Sequence, residues 1–278
     1  MDSSLTKLIA VAVVAALFTA GAMTVFGGGG SSYQDEEILI TGSTTLNPIL
    51  SSFKEQYEKE TVGVTLTITG GGSGHGINSA AQGSADIGMT SRDVRPSEMD
   101  AHPDLKIHTI GKDGVAIIVG SNAGITNLDR AQVEGIFNGT YTNWNQVGGN
   151  DGTIVIFNRD AASGTRDCFD STVMLNSDTV ASANEVASNG AMRSSVNGNP
   201  NGIGYVGLGF IDSETTALDI GGVSPTVENV ASGAYEIQRD LILVTKGDPK
   251  GWSAAFLEWA MQPTAQKIVG ELGFVPIA

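Results

Sequence analysis

Repeatedly along this chain, a short apolar, β-branched run gives way to a loop of Gly, Ser and Thr and then to a helical pattern. The loops are GSTT at 42–45, GGGSG at 70–74, TSR at 90–92 and RDAASGTR at 159–166. Strand, loop and helix in that order point to parallel strands, because parallel neighbours need a crossover and the crossover is usually a helix. The expected class is therefore α/β, with sheets covered by helices. In such sheets, ligands bind beyond the carboxyl ends of the strands. Helix N-termini there offer free N–H groups and about half a positive charge. Glycine lets those N–H groups approach closely, and hydroxyls add neutral donors. Together the loops make a donor cage suited to a small oxyanion. Singly each is weaker, since a Ser or Thr before a helix is usually an N-cap.

The coarse element pattern agrees with this class. Strands are expected at 38–41, 64–69, 86–89, 115–119, 153–158, 203–206 and 241–245. A helix is expected from Pro48, with Ile49, Phe53 and Tyr57 on one face. Others are expected through Ile77 and Ala80, at 133–137, from Ser163, at 185–195, at 252–261 and at 264–272. No tandem repeat is present in the sequence.

Composition excludes several functions. The formal net charge of −15 argues against nucleic acid, which needs a basic face. It does not argue against a small anion, because exposed charge is screened over about 8 Å at physiological salt. Cys168 is the single cysteine, so the chain has no internal disulfide and no CxxC zinc motif; it reads as a small buried helix residue. The three histidines, His75, His102 and His108, form no metal spacing, and no GxSxG elbow occurs. No catalysis, metal or cofactor is expected. His75 reads as an exposed loop residue and Asp86 as structural. Asn138-Gly139-Thr140 matches the N-glycosylation acceptor pattern.

Residues 8–26 form an uncharged, mainly apolar run followed by GGGGSS at 27–32. At about 1.5 Å per residue the run is long enough to span a bilayer. It reads either as a signal cut after Ala20-Gly21-Ala22 or as an uncleaved anchor, and its length beyond a usual signal core favours the anchor. Both readings put the body outside the cytoplasm. No cysteine is available there for lipid attachment.

The segments GSTTLNP, GGGSGHGI, ADIGMTSR, RDAASGTRDCF, GIGYVGLGF and WAMQPTAQKIVGELGFVP follow one another along the chain. In this order they resemble the phosphate-binding proteins of ABC importers, over nearly all of residues 37–278. The resemblance implies the two-lobed type II periplasmic-binding-protein fold: two mixed sheets flanked by helices and joined by two hinge strands. Residues 37–119 and 241–278 would form the first lobe and 120–240 the second, with 115–121 and 239–245 crossing between them. It implies capture of inorganic phosphate by a monomer that serves a membrane-embedded permease. The alternatives are sulfate, molybdate, tungstate or arsenate, or a surface phosphate receptor without an importer. By the same resemblance Thr44 gives a hydroxyl and Thr45 a backbone N–H, with Ser43 beside them. Ser73 gives hydroxyl and N–H, Arg159 supplies the positive charge, and Ser163, Gly164 and Thr165 donate from a helix start. Ser91 stands where some members carry an acidic residue, which weakens the expected discrimination against sulfate. Arg92 either enters the site or pairs with an acid outside it, and Asp160 is placed to position Arg159.

Overall fold

The computed structural model describes residues 36–175 and 177–277. The first apolar run forms β1 (Glu36–Gly42), and α1 (Asn47–Glu60) returns the chain to β2 (Val64–Gly70), which pairs with β1 in parallel. Pro48 sits in the first turn of α1, where its missing N–H would have had no helical partner. Ile49, Leu50, Phe53 and Tyr57 are the buried face of α1. Next come α2 (Ser73–Gln82), β3 (Ile87–Thr90), which is parallel to β1, and the short α3 (Pro96–Ala101).

The 15-residue β4 (Leu105–Val119) then leaves this block for another. There follow β5 (Asn127–Leu128), α4 (Arg130–Phe137), β6 (Val155–Arg159) and α5 (Gly164–Phe169), which continues as a π-helical turn over Asp170–Met174. After these come β7 (Asn184–Val186), α6 (Asn189–Asn197), β8 (Gly202–Gly207), β9 (Thr216–Ala217), β10 (Asp219–Ile220) and α7 (Val227–Ala231). The strand β11 (Gln238–Lys246) carries the chain back, and α8 (Gly251–Ala260) and α9 (Pro263–Glu271) close the first block.

The sheet order is β2-β1-β3-β11-β4-β8-β6-β7, with β9 also on β4. β4 serves both wings: its residues from Leu105 to Gly114 pair antiparallel with β11, and Val115 to Val119 pair antiparallel with β8. Each wing has its own core. Ile40, Phe53, Leu66, Leu241, Leu243 and Phe256 belong to one, and Ile117, Phe137, Trp144, Phe169 and Tyr205 belong to the other. Ile77, Ala80 and Val244 fill the far face of the first wing, and Met192, Val196 and Val206 that of the second. Each large side chain fully buried this way contributes roughly 1.5–3 kcal/mol of transfer free energy. Two separate cores joined by two strands make the fold two-lobed.

Two expected elements change. The strand expected at 115–119 begins at Leu105, because pairing with β11 extends it through Lys106, His108, Lys112 and two glycines that break the apolar pattern. Within β4 the pairing partner changes from β11 to β8 between Gly114 and Val115. The helix expected at 185–195 starts at Asn189: Asn184–Val186 pair with β6 as a strand, and the Ser188 side chain caps α6 by accepting from the Ala191 N–H. The apolar run at 8–26 and its linker lie outside the described residues. Among the described residues, no helix is long and apolar enough to cross a membrane.

Candidate functional site

The loops identified in the sequence meet between the two wings. Ser43 and Thr45 follow β1, Ser73 opens α2, Ser91 follows β3, and Ser163, Gly164 and Thr165 open α5. Thr45, Ser73 and Ser91 are 0% exposed; Ser43, Ser163, Gly164 and Thr165 are also buried. Ser43 Oγ donates to Ser91 Oγ at 2.8 Å, the Ser91 N–H donates to Ser73 Oγ at 3.0 Å, and the Thr45 N–H faces Ser43 Oγ at 3.3 Å. Thr45 Oγ1 lies 3.3 Å from Thr165 Oγ1. Ser163 caps α5 by accepting from the Arg166 N–H at 3.2 Å, which leaves its own O–H to donate. Thr44 is only half-buried, and its Oγ1 accepts from Asn189 Nδ2 at 3.2 Å.

Glycine is required where the wings touch. A Cβ on Gly164 would come within 2.3 Å of Ser73 Oγ and 2.8 Å of Ser91 Oγ. Gly72 has φ +86°, and a Cβ there would lie 2.8 Å from the Ala162 carbonyl oxygen. That carbonyl accepts from the Gly74 N–H at 3.1 Å, so the GGGSG and RDAASGTR loops are in direct backbone contact.

Arg159 is 1% exposed. Its Nε and Nη2 donate to the carbonyls of Val186 and Ala187, both at 3.1 Å. Its Nη1 is buried with no hydrogen-bond partner among the described residues. Burial pushes the guanidinium below its ordinary value, and Asp160, at 4.0 Å from Nη2, pulls the other way. The Asp160 carboxylate itself accepts from the Ala162 N–H at 2.8 Å. Arg92 pairs with an acid: Nη1 and Nη2 fork onto the Glu98 carboxylate at 2.8 and 2.7 Å, and Nε lies 3.9 Å from Asp167 on α5. Arg95 also pairs with Asp167. His75 is exposed, and Asp86 accepts from the Leu39 N–H at 2.8 Å, tying β3 to β1.

Sequence reasoning missed Asp113, Asn189 and Arg239. Asp113 on β4 and Arg239 on β11 are direct register partners. They form a buried ion pair at 2.6 Å, and Arg239 Nη2 also reaches Thr45 Oγ1 at 3.1 Å. Asn189 Nδ2 reaches the same oxygen at 3.0 Å. The available signal was two charges flanking apolar runs, Asp113 before Val115–Val119 and Arg239 before Leu241–Val244, because charges are rarely buried unless paired.

Chemically, this is a cluster of N–H and O–H donors with buried guanidinium groups beside it. Among the described residues, none of its Ser or Thr hydroxyls has a histidine, lysine or carboxylate partner of the kind that activates a nucleophile.

Comparison with known proteins gives one family. The model for the PBP superfamily domain matches residues 28–264. A phosphate-binding protein PstS of Borreliella burgdorferi is 31% identical over 258 residues, covering 88% of this chain and 92% of its own. The PstS of Bacillus subtilis is 29% identical over 242 residues, covering 86% and 80%. A substrate-binding protein of Clostridium perfringens crystallised with bound phosphate superposes with a TM-score of 0.84 at 31% identity, covering 87% of this chain and 100% of that one. An ABC-type phosphate transport receptor from Vibrio cholerae gives a TM-score of 0.72 at 34% identity, covering 86% and 99%.

Proposed function

The chain belongs to the PBP superfamily and, within it, to the PstS-like phosphate-binding proteins, and from this premise we propose that it captures inorganic phosphate between its two lobes and delivers it to a membrane-embedded ABC permease. The lobes hinge about β4 and β11, residues 36–114 with 238–277 on one side and 115–237 on the other. The ligand is held by Ser43, Thr44, Thr45, Ser73 and Ser91 from the first lobe and by Arg159, Ser163, Gly164 and Thr165 from the second. The observation that carries this reading is the convergence of buried hydroxyls from both lobes, with Thr45 and Thr165 within 3.3 Å. A ligand that both lobes must grasp stabilises the closed form, because only that form makes both sets of contacts. Hydrogen bonds to a charged group contribute about 1.5–3 kcal/mol each, and micromolar affinity needs about 8 kcal/mol net. A handful of aligned donors supplies that after ordering and desolvation costs.

In this reading the protein is a binder and not an enzyme. Its body works outside the cytoplasm as a monomer, held by the apolar run at 8–26 or released by cleavage. Because Ser91 offers a hydroxyl where a carboxylate would repel fully ionised anions, sulfate, molybdate, tungstate and arsenate are the competing ligands, and a surface phosphate receptor without an importer is the competing role.

Calorimetry on the ligand-stripped full-length protein with phosphate, sulfate and molybdate tests the reading. Tight phosphate binding with weaker sulfate and molybdate is expected. Binding of none of them overturns it, and tighter sulfate or molybdate replaces phosphate with that ligand.

A further inference from the structure

The hydroxyl of Thr45 is held from two sides by groups outside the ligand-binding set. Asn189 Nδ2 donates to Thr45 Oγ1 at 3.0 Å, and Arg239 Nη2 donates to the same oxygen at 3.1 Å. A threonine hydroxyl has two acceptor lone pairs and one proton. Both lone pairs are taken by groups that can only donate. The proton is what remains, and it can go to Thr165 Oγ1 at 3.3 Å or to a ligand oxygen.

Neither flanking donor can reverse its role. The Asn189 amide is oriented by Gly207, whose N–H donates to Asn189 Oδ1 at 3.2 Å; a backbone N–H cannot accept, so the NH2 end must face the threonines. Asn189 is 0% exposed, which rules out competition from bulk water. Arg239 has no acceptor at all, and Asp113 fixes its fork, Oδ2 accepting from Nε at 3.1 Å and from Nη2 at 2.6 Å. Asp113 is fixed in turn by the Leu208 N–H, which donates to Oδ1 at 2.9 Å. The chain of restraint thus runs through both hinge strands, β4 and β11, and through the N-terminus of α6 and β8 in the second lobe.

We propose that Asp113, Arg239 and Asn189 are positioning residues for oxyanion capture: by occupying both lone pairs of Thr45 Oγ1 they make this hydroxyl an obligate donor. A free hydroxyl can rotate and accept, so it tolerates a protonated or neutral ligand edge. This one presents only a proton, and it presents it in the geometry that the hinge ion pair sets. Selectivity for an ionised oxygen is therefore written partly in residues that never touch the ligand. The inference rests on the phosphate-capture reading of the same site.

A double-mutant cycle tests it. Arg239→Lys keeps a positive charge against Asp113 but loses the planar fork that spans Asp113 and Thr45. Thr45→Val removes the hydroxyl while keeping the shape. Phosphate affinity is measured by calorimetry on the full-length wild type, each single variant and the double variant. Arg239→Lys is expected to weaken phosphate about tenfold in the wild-type background and less than about twofold in the Thr45→Val background, a coupling of about fivefold or more, at least about 1 kcal/mol by the tenfold conversion. Equal losses in both backgrounds overturn the proposal, because Arg239 would then act independently of the Thr45 hydroxyl. If Arg239→Lys gives no cooperative thermal melt, Asn189→Ala in the same cycle probes the same oxygen from the second lobe, and equal losses there overturn it equally. Wild-type protein that binds no oxyanion defeats the phosphate reading itself; wild-type binding without coupling defeats only this inference.

Discussion

Thr45 and Thr165 stand 120 residues apart in sequence, yet their hydroxyl oxygens lie 3.3 Å from each other in a fully buried setting. One follows β1 and the other begins α5, so the contact lies across the gap between the lobes that β4 and β11 join. A ligand oxygen placed there would be reached by both.

Thr165→Val should therefore act on closure more than on folding. Loss of one hydrogen bond to a charged ligand, about 1.5–3 kcal/mol, corresponds to roughly 10- to 150-fold weaker phosphate binding. Calorimetry measures that loss, and solution scattering measures the accompanying change. The wild type should become more compact on saturation with phosphate, and the variant should need correspondingly more phosphate to do so. A wild-type radius that stays constant at saturating phosphate would contradict the hinge.

Gly164 is the tightest point of the contact. A methyl group there would sit 2.3 Å from Ser73 Oγ and 2.8 Å from Ser91 Oγ, so Gly164→Ala must push the first lobe's loops away from α5. Phosphate affinity should fall by more than about 100-fold, since several donors leave their positions together. The melting temperature without phosphate should change little, because the strain is relieved by opening the cleft and not by disturbing either core. The rise in melting temperature on adding phosphate, which follows the ratio of ligand to Kd, should nearly vanish at millimolar ligand.

Much of this was legible in the sequence for a physical reason. Loops that follow strands and open helices gather at the carboxyl edge of a sheet, so Ser43, Ser73 and Ser91 are brought near one another by the topology of their wing, and Ser163 reaches them from the matching edge of the other. What the sequence hid is non-local. Asp113 lies in the stretch KDG between glycines, which reads as a turn, and only its pairing with Arg239 across β4 and β11 makes it a strand residue. Asn189 reads as an ordinary helix residue until β8 supplies the Gly207 N–H that turns its amide toward Thr45. The fate of Arg92 was similarly open, because Glu98 is six positions away and reaches it only through the bend before α3.

That Arg92–Glu98 pair carries a pH signature. Burial opposes ionisation of Glu98, but the Arg92 fork, the Arg95 N–H and the nearby charges outweigh it and hold the carboxyl below its ordinary value. A carboxyl whose folded pKa is depressed contributes stability that is present above its unfolded value, about 4.3, and lost as pH falls through the lower folded value. Thermal melts between about pH 3 and pH 6 should show the wild type losing stability steeply on acidification. Glu98→Gln should be less stable at the upper end and should fall less steeply toward acid. Parallel curves for the two proteins would remove Glu98 from the acid transition.

Cys168 offers a reporter of the same closure. It sits on α5 three residues beyond Thr165, and its Sγ faces the carbonyl of Gln238 on β11 at 3.6 Å, so it lies where the second lobe meets a hinge strand. Burial pushes its thiol up to about 11, against the opposing pull of Arg239. The thiolate is the nucleophile, and very little of it exists at neutral pH. Labelling by a thiol reagent should therefore be slow in the native protein and complete in denaturant. The residual native rate reports local opening around α5. Phosphate, by favouring the closed form, should slow that rate severalfold in the wild type and leave it unchanged in Gly164→Ala. Fast native labelling that ignores phosphate would mean that α5 opens independently of the cleft.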